Sequence, residues 1–369
     1  MRVLYDHKAF EQTVGGVSRC FVELIRHLPG DVEPVMGVLL TQNVHLMGQM
    51  DGVYSLLGAR KFPYKKRLLK RINQRYFQYC AKHEDYQLLH CTTDDPMYSY
   101  VDVSVPVVAT FHDFIAEKYF RDQVVNRTGF ISEGWLNERR EMIRRASRIV
   151  CVSENTKEDL LRYYPDTDPN KLVVIYHGYT LSDESYMDNR WGKYILYVGA
   201  RADYKNFHRF VEAVSPILRQ RDLKLICTGK AFNVEESAWL AEQAIADRTV
   251  QMFVDEQTLR SLYHHAQLFV YPSLYEGFGI PLLEAMANGC PMAISNASCF
   301  PEVAGDAAAY FDPTDVQSMQ TMIDNVLGNE QYRTKMIARG KERVKKYSWE
   351  EAAAELANVY KQVLTTKKI

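Results

Sequence analysis

Short apolar runs alternate with longer amphipathic stretches along the first half of the chain. Each short run is rich in β-branched and aromatic residues and is bounded by turn formers, which predicts a buried strand. The predicted strands are RVLYD, VEPVMGVLL, YQLLHCT, PVVATFH, RIVCVS and KLVVIYH. Helices are predicted at Gly16–Leu28 after a Gly-Gly turn, at Ser132–Ala146, and at DLLRYY behind a capping box of Asn155 and Glu158.

The same pattern restarts after the polar stretch GYTLSDESYMDNRWG, which lacks hydrophobic periodicity and is predicted to be a linker. The second set of predicted strands is YILYVGA, LKLICTG, VQMFVD, QLFVYPS, PMAIS and AAAYFDP, with helices such as Glu256–Ala266 between them. This alternation predicts an α/β protein with two doubly wound domains in tandem and a cleft between the carboxyl edges of their sheets. The predicted boundaries are 1–178 for the first domain, 179–192 for the linker, 193–346 for the second domain, and 347–366 for a last helix capped by Ser348.

Length and composition are typical of a soluble two-domain protein. The 369 residues exceed what one core usually holds. The 45 Lys and Arg nearly cancel the 46 Asp and Glu, so no charge excess indicates a nucleic-acid partner. The seven scattered cysteines form no CxxC pair, which predicts reduced thiols in the cytoplasm and no metal site. The chain opens on a predicted strand and has no apolar run of membrane-spanning length, so we expect neither a signal peptide nor a membrane helix.

The stretch YPSLYEGFGIPLLEAMANG places two glutamates eight positions apart around a predicted helix entrance. Glu276 precedes the helix, Glu284 lies one turn inside it, and Gly277–Gly279 let backbone approach a ligand closely. A helix entrance offers free N–H groups and a partial positive charge, which suit phosphate. A carboxylate on each side suits hydroxyl groups, so the pattern favours a ligand with a central diphosphate and a sugar at each end. From these residues alone, a surface turn and a solvated helix glutamate stay open as the alternative.

This stretch resembles the E-x7-E signature of the retaining glycosyltransferases of family 4, which have the GT-B fold. The resemblance extends over nearly the whole chain, through TVGGVSR, TFHD, VSENTKEDL, YVGARADYKNF, SNASCFPEVAGDAAAYFDP and YSWEEAAAEL. It implies two Rossmann-like domains facing each other across a cleft, with the last helix crossing back to the N-terminal domain. The first domain is then expected to hold the acceptor, and the second the nucleotide sugar.

The resemblance also implies roles for single residues. The expected catalytic residues are His112, Arg201, Lys205 and Glu276, and the expected donor-binding residues are Gly15, Gly16, Phe278, Gly279, Ile280 and Glu284. Arg201 and Lys205 would neutralise the diphosphate, Glu284 would bind the ribose, and Glu276 and His112 would contact the transferred sugar. Without the resemblance, solvated loop cations and a structural histidine stay open.

The implied reaction moves a hexose from a nucleoside diphosphate sugar to an acceptor hydroxyl with retention of configuration, without a metal ion and with no cofactor beyond the donor. The acceptor would be a glycan or a lipid-linked glycan in surface polysaccharide assembly, and the KN after the basic pair favours GDP-mannose over UDP-sugars. One departure is His177-Gly178, where the family commonly has Asn-Gly, so no side-chain role carries over to His177.

A basic segment in the first domain bears on location. Arg60–Arg75, RKFPYKKRLLKRINQR, carries eight basic residues and no acidic one. Such a segment suits an anionic membrane surface or an acceptor pyrophosphate, and a solvated helix face is the alternative. We expect a cytoplasmic protein that contacts the inner face of the membrane through this segment, and no nucleic-acid partner.

Two other functions stay open at this point. One is another GT-B activity, such as a nucleotide-sugar epimerase or a phosphorylase. The other is a catalytically idle subunit that binds a nucleotide sugar for a partner enzyme. A NAD-dependent enzyme is disfavoured because no G-x-G-x-x-G follows the first strand of either half.

Overall fold

A computed structural model describes residues 1–55, 64–94, 104–120, 133–180 and 185–366. The strands are β1 Arg2–Tyr5, β2 Glu33–Met36, β3 Leu40–Thr41, β4 Tyr54–Ser55, β5 Leu88–Cys91, β6 Val107–Phe111, β7 Arg148–Cys151, β8 Leu172–Val174, β9 Tyr194–Tyr197, β10 Lys224–Thr228, β11 Thr249–Met252, β12 Leu268–Tyr271, β13 Met292–Ser295 and β14 Ala309–Phe311. The α-helices are α1 Gly16–Arg26, α2 Lys65–His83, α3 Glu133–Arg145, α4 Glu154–Tyr163, α5 Phe207–Arg221, α6 Val234–Glu242, α7 Glu256–His265, α8 Ile280–Ala287, α9 Phe300–Ala304, α10 Val316–Gly328, α11 Glu330–Arg343 and α12 Trp349–Thr366.

The chain divides into two compact units. The first comprises Met1–Gly178 with Ser348–Ile369, and the second comprises Tyr179–Tyr347. Each unit is built on a six-stranded sheet, and every neighbouring strand pair in these sheets is parallel. The predicted α/β class and the twelve predicted core strands are therefore confirmed.

The strand orders place a topological switch point in each sheet. The first sheet has the order β2-β1-β5-β6-β7-β8, and the second has the order β11-β10-β9-β12-β13-β14. Along the chain, β1 is followed by β2, its neighbour on one side, and later by β5, its neighbour on the other side. In the second sheet, β9 has the same position between β10 and β12. The loops that leave the carboxyl ends of such neighbouring strands diverge and open a crevice, where ligands bind in doubly wound folds.

Apart from Arg2 at the start of β1, the central strands β1 and β9 are apolar because helices cover both faces of a parallel sheet. The residues Val3, Leu4 and Tyr5 of β1 have no exposed surface, and β9 is at most 2% exposed. Polar side chains are therefore concentrated where the strands end.

The last helix, α12, belongs to the first unit, as the resemblance implies. Its Tyr360 shares a buried hydrogen bond of 2.9 Å with Tyr5 of β1, and it also bonds to His90 Nδ1. His90 Nε2 in turn lies 2.8 Å from Thr110 Oγ1 on β6. Burial lowers the pKa of His90 to about 3, so the ring is neutral and uses one nitrogen to donate and the other to accept. This network fastens α12 to three adjacent strands.

Gly178 marks the junction where the chain leaves the first unit, and α12 returns beside it. A β-carbon on Gly178 would lie 2.3 Å from the backbone nitrogen of Trp349, so no larger residue fits without a backbone shift. His177, beside it, is buried and lies between the rings of His112 and Trp349. The departure His177-Gly178 thus supplies packing for His112 and a close backbone contact for α12.

Within the predicted linker, residues 185–192 pack on α7: Ser261 Oγ accepts from Met187 N at 2.9 Å, and Tyr186 stacks on His264. The capping box at Asn155 is wrong, because α4 begins earlier with Ser153 as its N-cap, whose hydroxyl accepts from Thr156 N at 3.0 Å. In the part of the chain that the structure describes, no helix is long and apolar enough to cross a membrane.

We predict that Tyr360→Phe destabilises the first unit, because it leaves a buried histidine nitrogen and the Tyr5 hydroxyl without their partner. The loss should be about 1–3 kcal/mol, seen by calorimetry as a Tm lowered by several degrees. Tyr79→Phe is the matched control, since Tyr79 is 56% exposed and should leave the Tm unchanged. An unchanged Tm in Tyr360→Phe would show that the network does not stabilise the docking of α12.

Candidate active site

The predicted catalytic residues Lys205 and Glu276 meet at the switch point of the second sheet. Lys205 ends the 3-10 turn after β9, and Glu276 lies in the loop after β12, the strand next to β9. Lys205 Nζ donates to Glu276 Oε1 at 2.5 Å. The two side chains are only 15% and 11% exposed, so this is a largely desolvated ion pair.

Aromatic rings and a neighbouring loop fix this pair. The Lys205 ammonium lies 5.3 Å from the centre of the Tyr204 ring and 5.6 Å from that of Tyr271. Burial, and then the Glu276 carboxylate, raise the pKa of Tyr271 well above its ordinary value, so its hydroxyl stays protonated. Ser298 accepts from Glu276 N at 3.1 Å and donates to Glu276 O, while its own backbone takes a left-handed φ of 58°. A non-glycine residue in that conformation is uncommon, which indicates that its contacts to Glu276 hold it there.

Arg201, the other predicted cation, is locked in place. Its Nε donates to Glu236 Oε1 at 2.8 Å, and one Nη donates to the carbonyls of Lys230 and Ala231 at 2.6 and 3.1 Å. The guanidinium also lies 4.7 Å from the centre of the Phe232 ring. Among the described residues its remaining nitrogen, Nη1, is buried and has no hydrogen-bond partner. A fixed guanidinium therefore keeps one donor for a ligand.

Sequence reasoning missed the role of Asn206, which ties three loops together. Its Nδ2 donates to Pro272 O at 3.1 Å and to Pro313 O at 2.7 Å, the loops that follow β12 and β14. Asn206 is buried and has a φ of 58°, a left-handed conformation that asparagine tolerates better than most residues. Since Lys205 precedes it directly, these bonds set the position of the lysine relative to the loop of Glu276.

The second glutamate of the pair, Glu284, lies inside α8 and is held by a buried tyrosine. Tyr263 of α7 donates its hydroxyl to Glu284 Oε2 at 3.0 Å, and Glu284 is 8% exposed. Burial, together with the Glu284 carboxylate, raises the pKa of Tyr263 well above its ordinary value. The tyrosine therefore remains a donor and fixes one carboxylate oxygen.

The entrance of α8 depends on Gly279. This residue is the N-cap and has a φ of 88°, which glycine adopts without strain. Phe278 is buried edge-on against Tyr347, while Ile280 is the first residue of the helix and Pro281 lies in its first turn. The backbone of the predicted phosphate-binding residues Phe278, Gly279 and Ile280 thus surrounds the helix entrance.

His112, Gly15 and Gly16 lie in the first unit. His112 follows β6, and its Nε2 donates to Thr92 O at 2.9 Å. Burial lowers its pKa, so the ring is neutral and Nδ1 is an acceptor. Gly15 is the N-cap of α1 with an extended φ of −176°, and Gly16 is the first helical residue. The backbone therefore does not require glycine at 15, and a β-carbon there would meet only the flexible end of Gln12 within 3 Å.

A buried arginine that the sequence did not reveal organises the same sheet edge. Arg139 of α3 is 1% exposed and contacts Asp94 at 2.5 Å and Glu117 at 3.1 Å. It also donates to the carbonyl of Asp113 at 3.1 Å. The loops after β5 and β6 are thereby joined through one guanidinium. Over the described ranges, no group of three His, Cys, Asp or Glu side chains is arranged to hold a metal ion.

The structure therefore brings some predicted residues together and leaves others apart. Lys205 and Glu276 are in direct contact, and Arg201 lies on the same loop as Lys205. Glu284 and the α8 entrance belong to the same unit, whereas His112, Gly15 and Gly16 belong to the other. Each group lies where strands of its own sheet end.

Comparisons with known proteins identify the family of the chain. Residues 14–183 match the family described as Glycosyltransferase Family 4, and residues 186–343 match Glycosyl transferases group 1. The O-antigen chain mannosyltransferase B of Escherichia coli is 32% identical over 58% of this chain and 55% of its own length. The O-antigen chain mannosyltransferase RfbU of Salmonella typhimurium is 30% identical over 50% of this chain and 52% of its own. The chain thus spans about half the length of the curated relatives it matches.

A solved structure extends the likeness to the whole chain. Anabaena HepE in complex with UDP and glucose superposes with a TM-score of 0.74 over 98% of this chain and 100% of that one, at 15% identity. This likeness shows the fold, two Rossmann-like domains of the GT-B type. Because the two family matches together cover residues 14–343 almost without a gap, the chain belongs to the group 1, family 4 glycosyltransferases.

Proposed function

We propose that this protein is a retaining glycosyltransferase that moves a hexose from a nucleoside diphosphate sugar to an acceptor hydroxyl. The observation that carries the proposal is the Lys205–Glu276 pair at the switch point of the second sheet. The cation could bind the diphosphate of such a donor, and the adjacent carboxylate could bind the hydroxyls of the attached sugar. The similarity to O-antigen chain mannosyltransferases supports surface polysaccharide assembly as the process and GDP-mannose as the donor.

The donor site follows from the groups already described. Arg201 Nη1 and Lys205 Nζ would bind the diphosphate, together with the backbone N–H groups and the partial positive charge at the entrance of α8. Glu284 would accept hydrogen bonds from the ribose with the oxygen that Tyr263 does not hold in place. Glu276 would accept from the hydroxyls of the transferred sugar.

The transfer step needs charge stabilisation more than a nucleophile. As the bond between the anomeric carbon and the phosphate oxygen breaks, its electron pair passes to the diphosphate, whose negative charge Arg201 and Lys205 stabilise. The acceptor hydroxyl attacks the same face of the sugar, and the departing phosphate oxygen takes its proton. Configuration is thereby retained without a covalent intermediate. His112 Nδ1, an acceptor because Nε2 is committed to Thr92, would receive a hydrogen bond from the sugar.

We predict that Glu276→Gln and Lys205→Ala each lower kcat by about 100-fold or more, since each removes a charged group at the reacting centre. The measurement is release of nucleoside diphosphate from GDP-mannose in the presence of acceptor. The controls are Glu342→Gln and Lys345→Ala, which remove an exposed ion pair of the same kind on the surface of the second unit. Wild-type turnover by either site variant would contradict the proposed roles.

We predict that Tyr263→Phe weakens nucleotide binding through the ribose, because Glu284 loses the donor that orients it. The Kd of GDP should rise about three- to tenfold. A 2′-deoxy or 3′-deoxy nucleotide should bind wild type and variant more nearly alike. Calorimetric titration measures both values.

Tyr194→Phe is the matched control for this experiment. Tyr194 is equally buried in the same unit, and its hydroxyl donates to the Leu262 carbonyl at 2.7 Å. Tyr194→Phe should lower the stability of the protein without changing the Kd of GDP. Equal effects of the two variants would contradict a role of Tyr263 in binding the ribose.

We also propose that α2 contacts an anionic membrane surface. The part of the basic segment at 60–63 lies outside the described residues, whereas Lys65–Arg75 form the first half of α2. The helix buries Leu69, Asn73, Phe77 and Cys80 and contains no acidic residue. Its exposed side carries Lys66, Arg67, Lys70, Arg71 and Arg75, with Tyr64 79% and Leu68 45% exposed. Cations interleaved with apolar groups suit anionic lipid headgroups.

We predict that replacing Lys66, Arg67 and Arg71 by Gln abolishes co-sedimentation with vesicles that contain anionic lipid. Each cation near such a surface contributes about 1 kcal/mol, so the triple variant should bind roughly 100-fold less tightly. The control replaces Lys335, Lys345 and Lys346, three exposed lysines of the second unit, by Gln. Binding that does not depend on anionic lipid, or equal losses in both triple variants, would contradict this role of α2.

A further inference from the structure

Lys205 and Glu276 bind each other in an ion pair, although the proposed donor would use each of them for a different part of the molecule. Lys205 Nζ and Glu276 Oε1 are 2.5 Å apart, and both side chains are mostly shielded from water. An oxygen that accepts from an ammonium is a poorer acceptor for a sugar hydroxyl, and an ammonium bound to a carboxylate is partly neutralised toward a phosphate. Opening the pair would make both groups fully available to a nucleotide sugar.

We propose that the donor diphosphate displaces Glu276 from Lys205, and that the ion pair forms again when the product leaves. The inference rests on the proposed function and extends it to the order of events at the site. A buried carboxylate whose cation is withdrawn has lost its compensating partner, so it binds the sugar hydroxyls more strongly. Diphosphate binding thereby creates the sugar-binding form of Glu276.

The second ion pair of the site shows why the exchange is confined to Lys205. Glu236, the partner of Arg201, is also the capping-box residue of α6: its Oε2 accepts from Asn233 N at 2.8 Å, and its own N–H donates to Asn233 Oδ1 at 2.7 Å. Arg201 in turn holds two carbonyls besides that carboxylate. The cap fixes the Glu236 side chain through its other oxygen, and the two carbonyls fix the guanidinium, so this pair is held on both sides.

Among the described contacts, the charged ends of the Lys205 pair are held by neither a helix cap nor backbone carbonyls; the ammonium lies over the rings of Tyr204 and Tyr271. Lysine is a compact charge on a flexible four-carbon stem with three rotatable donors, so it can turn from a carboxylate to a phosphate within its own reach. The backbone of Glu276 is held by Ser298 and Cys299, and that of the lysine is held by the bonds of Asn206. The exchange is therefore a side-chain movement between fixed loops.

This arrangement makes Glu276 a competitor of the product. A nucleoside diphosphate without its sugar gains Lys205 but leaves the Glu276 carboxylate without its cation, so the closed ion pair opposes its binding. The same carboxylate that the transfer needs would thus speed release of the spent nucleotide. Removal of the Glu276 charge should therefore weaken catalysis and yet tighten binding of the nucleoside diphosphate. If Glu276 only contacted the nucleotide sugar, its removal would not tighten the binding of the product.

The experiment measures the Kd of GDP and of UDP by calorimetric titration for matched variants of the full chain. In Glu276→Gln the Kd should fall about three- to tenfold, the size expected when a competing charge is removed from a shielded cation. In Glu284→Gln the Kd should rise, because that carboxylate contacts the nucleotide. Glu342→Gln, in the exposed pair with Lys345, should leave the Kd unchanged.

Two further variants locate the effect. In Lys205→Met the Kd should rise, and the double variant Lys205→Met/Glu276→Gln should bind like Lys205→Met, because the gain requires the lysine. Glu276→Ala provides a second test that also removes the pair, and a thermal melt confirms that each variant is folded.

The outcomes separate the two proposals. A Kd in Glu276→Gln and Glu276→Ala that equals or exceeds that of the wild type, with nucleotide still bound, overturns the exchange and leaves the proposed function standing. A gain that persists without Lys205 overturns it as well. If folded wild-type protein binds no nucleoside diphosphate at all, the proposed function falls and the exchange with it.

Discussion

The order of the strands around β9 is the constraint on which the rest of the site depends. Because β9 is followed by β10 on one side of it and β12 is followed by β13 on the other side, the loops after β9 and β12 diverge at the carboxyl edge. Helices cover both faces of the sheet, so this edge is where charged groups can lie close together and still reach a ligand. Lys205 and Glu276 occupy these two loops, 71 positions apart in the sequence and 2.5 Å apart in space. Without that topology the E-x7-E stretch would be a turn and a helix with no cation beside them.

The sequence was informative wherever one local rule determines the outcome. A strand buried on both faces is largely apolar, and the inner strands of both sheets were visible for that reason. The helix after Gly279 was predicted because Pro281 suits the start of a helix and Gly289 suits its C-terminal turn. The start of α4 was misplaced because Ser153 and Asn155 are both good N-caps, and only the packing of the helix decides between them.

The sequence could not show which side chains form pairs with residues from a distant part of the chain. Glu236 lies in a stretch whose local pattern predicts only a capped helix, yet it fixes Arg201 from 35 positions away. Tyr263 has the pattern of an ordinary core aromatic, and its hydroxyl partner Glu284 is on the next helix. Arg139 likewise looks like one more cation on a surface helix, whereas it is fully buried between two acidic side chains. In each case the residue type alone is compatible with an ordinary structural role. The fold brings in the distant partner that makes it part of the site or of its support.

The predicted site residues of the two units differ in charge, and this difference bears on the proposed reaction. The second unit provides charges: a locked guanidinium, an exchangeable ammonium and two carboxylates. In the first unit, burial lowers the pKa of His112 and His177, so both rings are neutral.

In the proposed reaction, a neutral His112 would bind a sugar hydroxyl without adding a positive charge that competes with Arg201 and Lys205 for the diphosphate. Thr92 fixes the tautomer of His112, and the ring of His177 shields one of its faces. The negative charge that develops on the leaving group would then be balanced by the cations of the second unit.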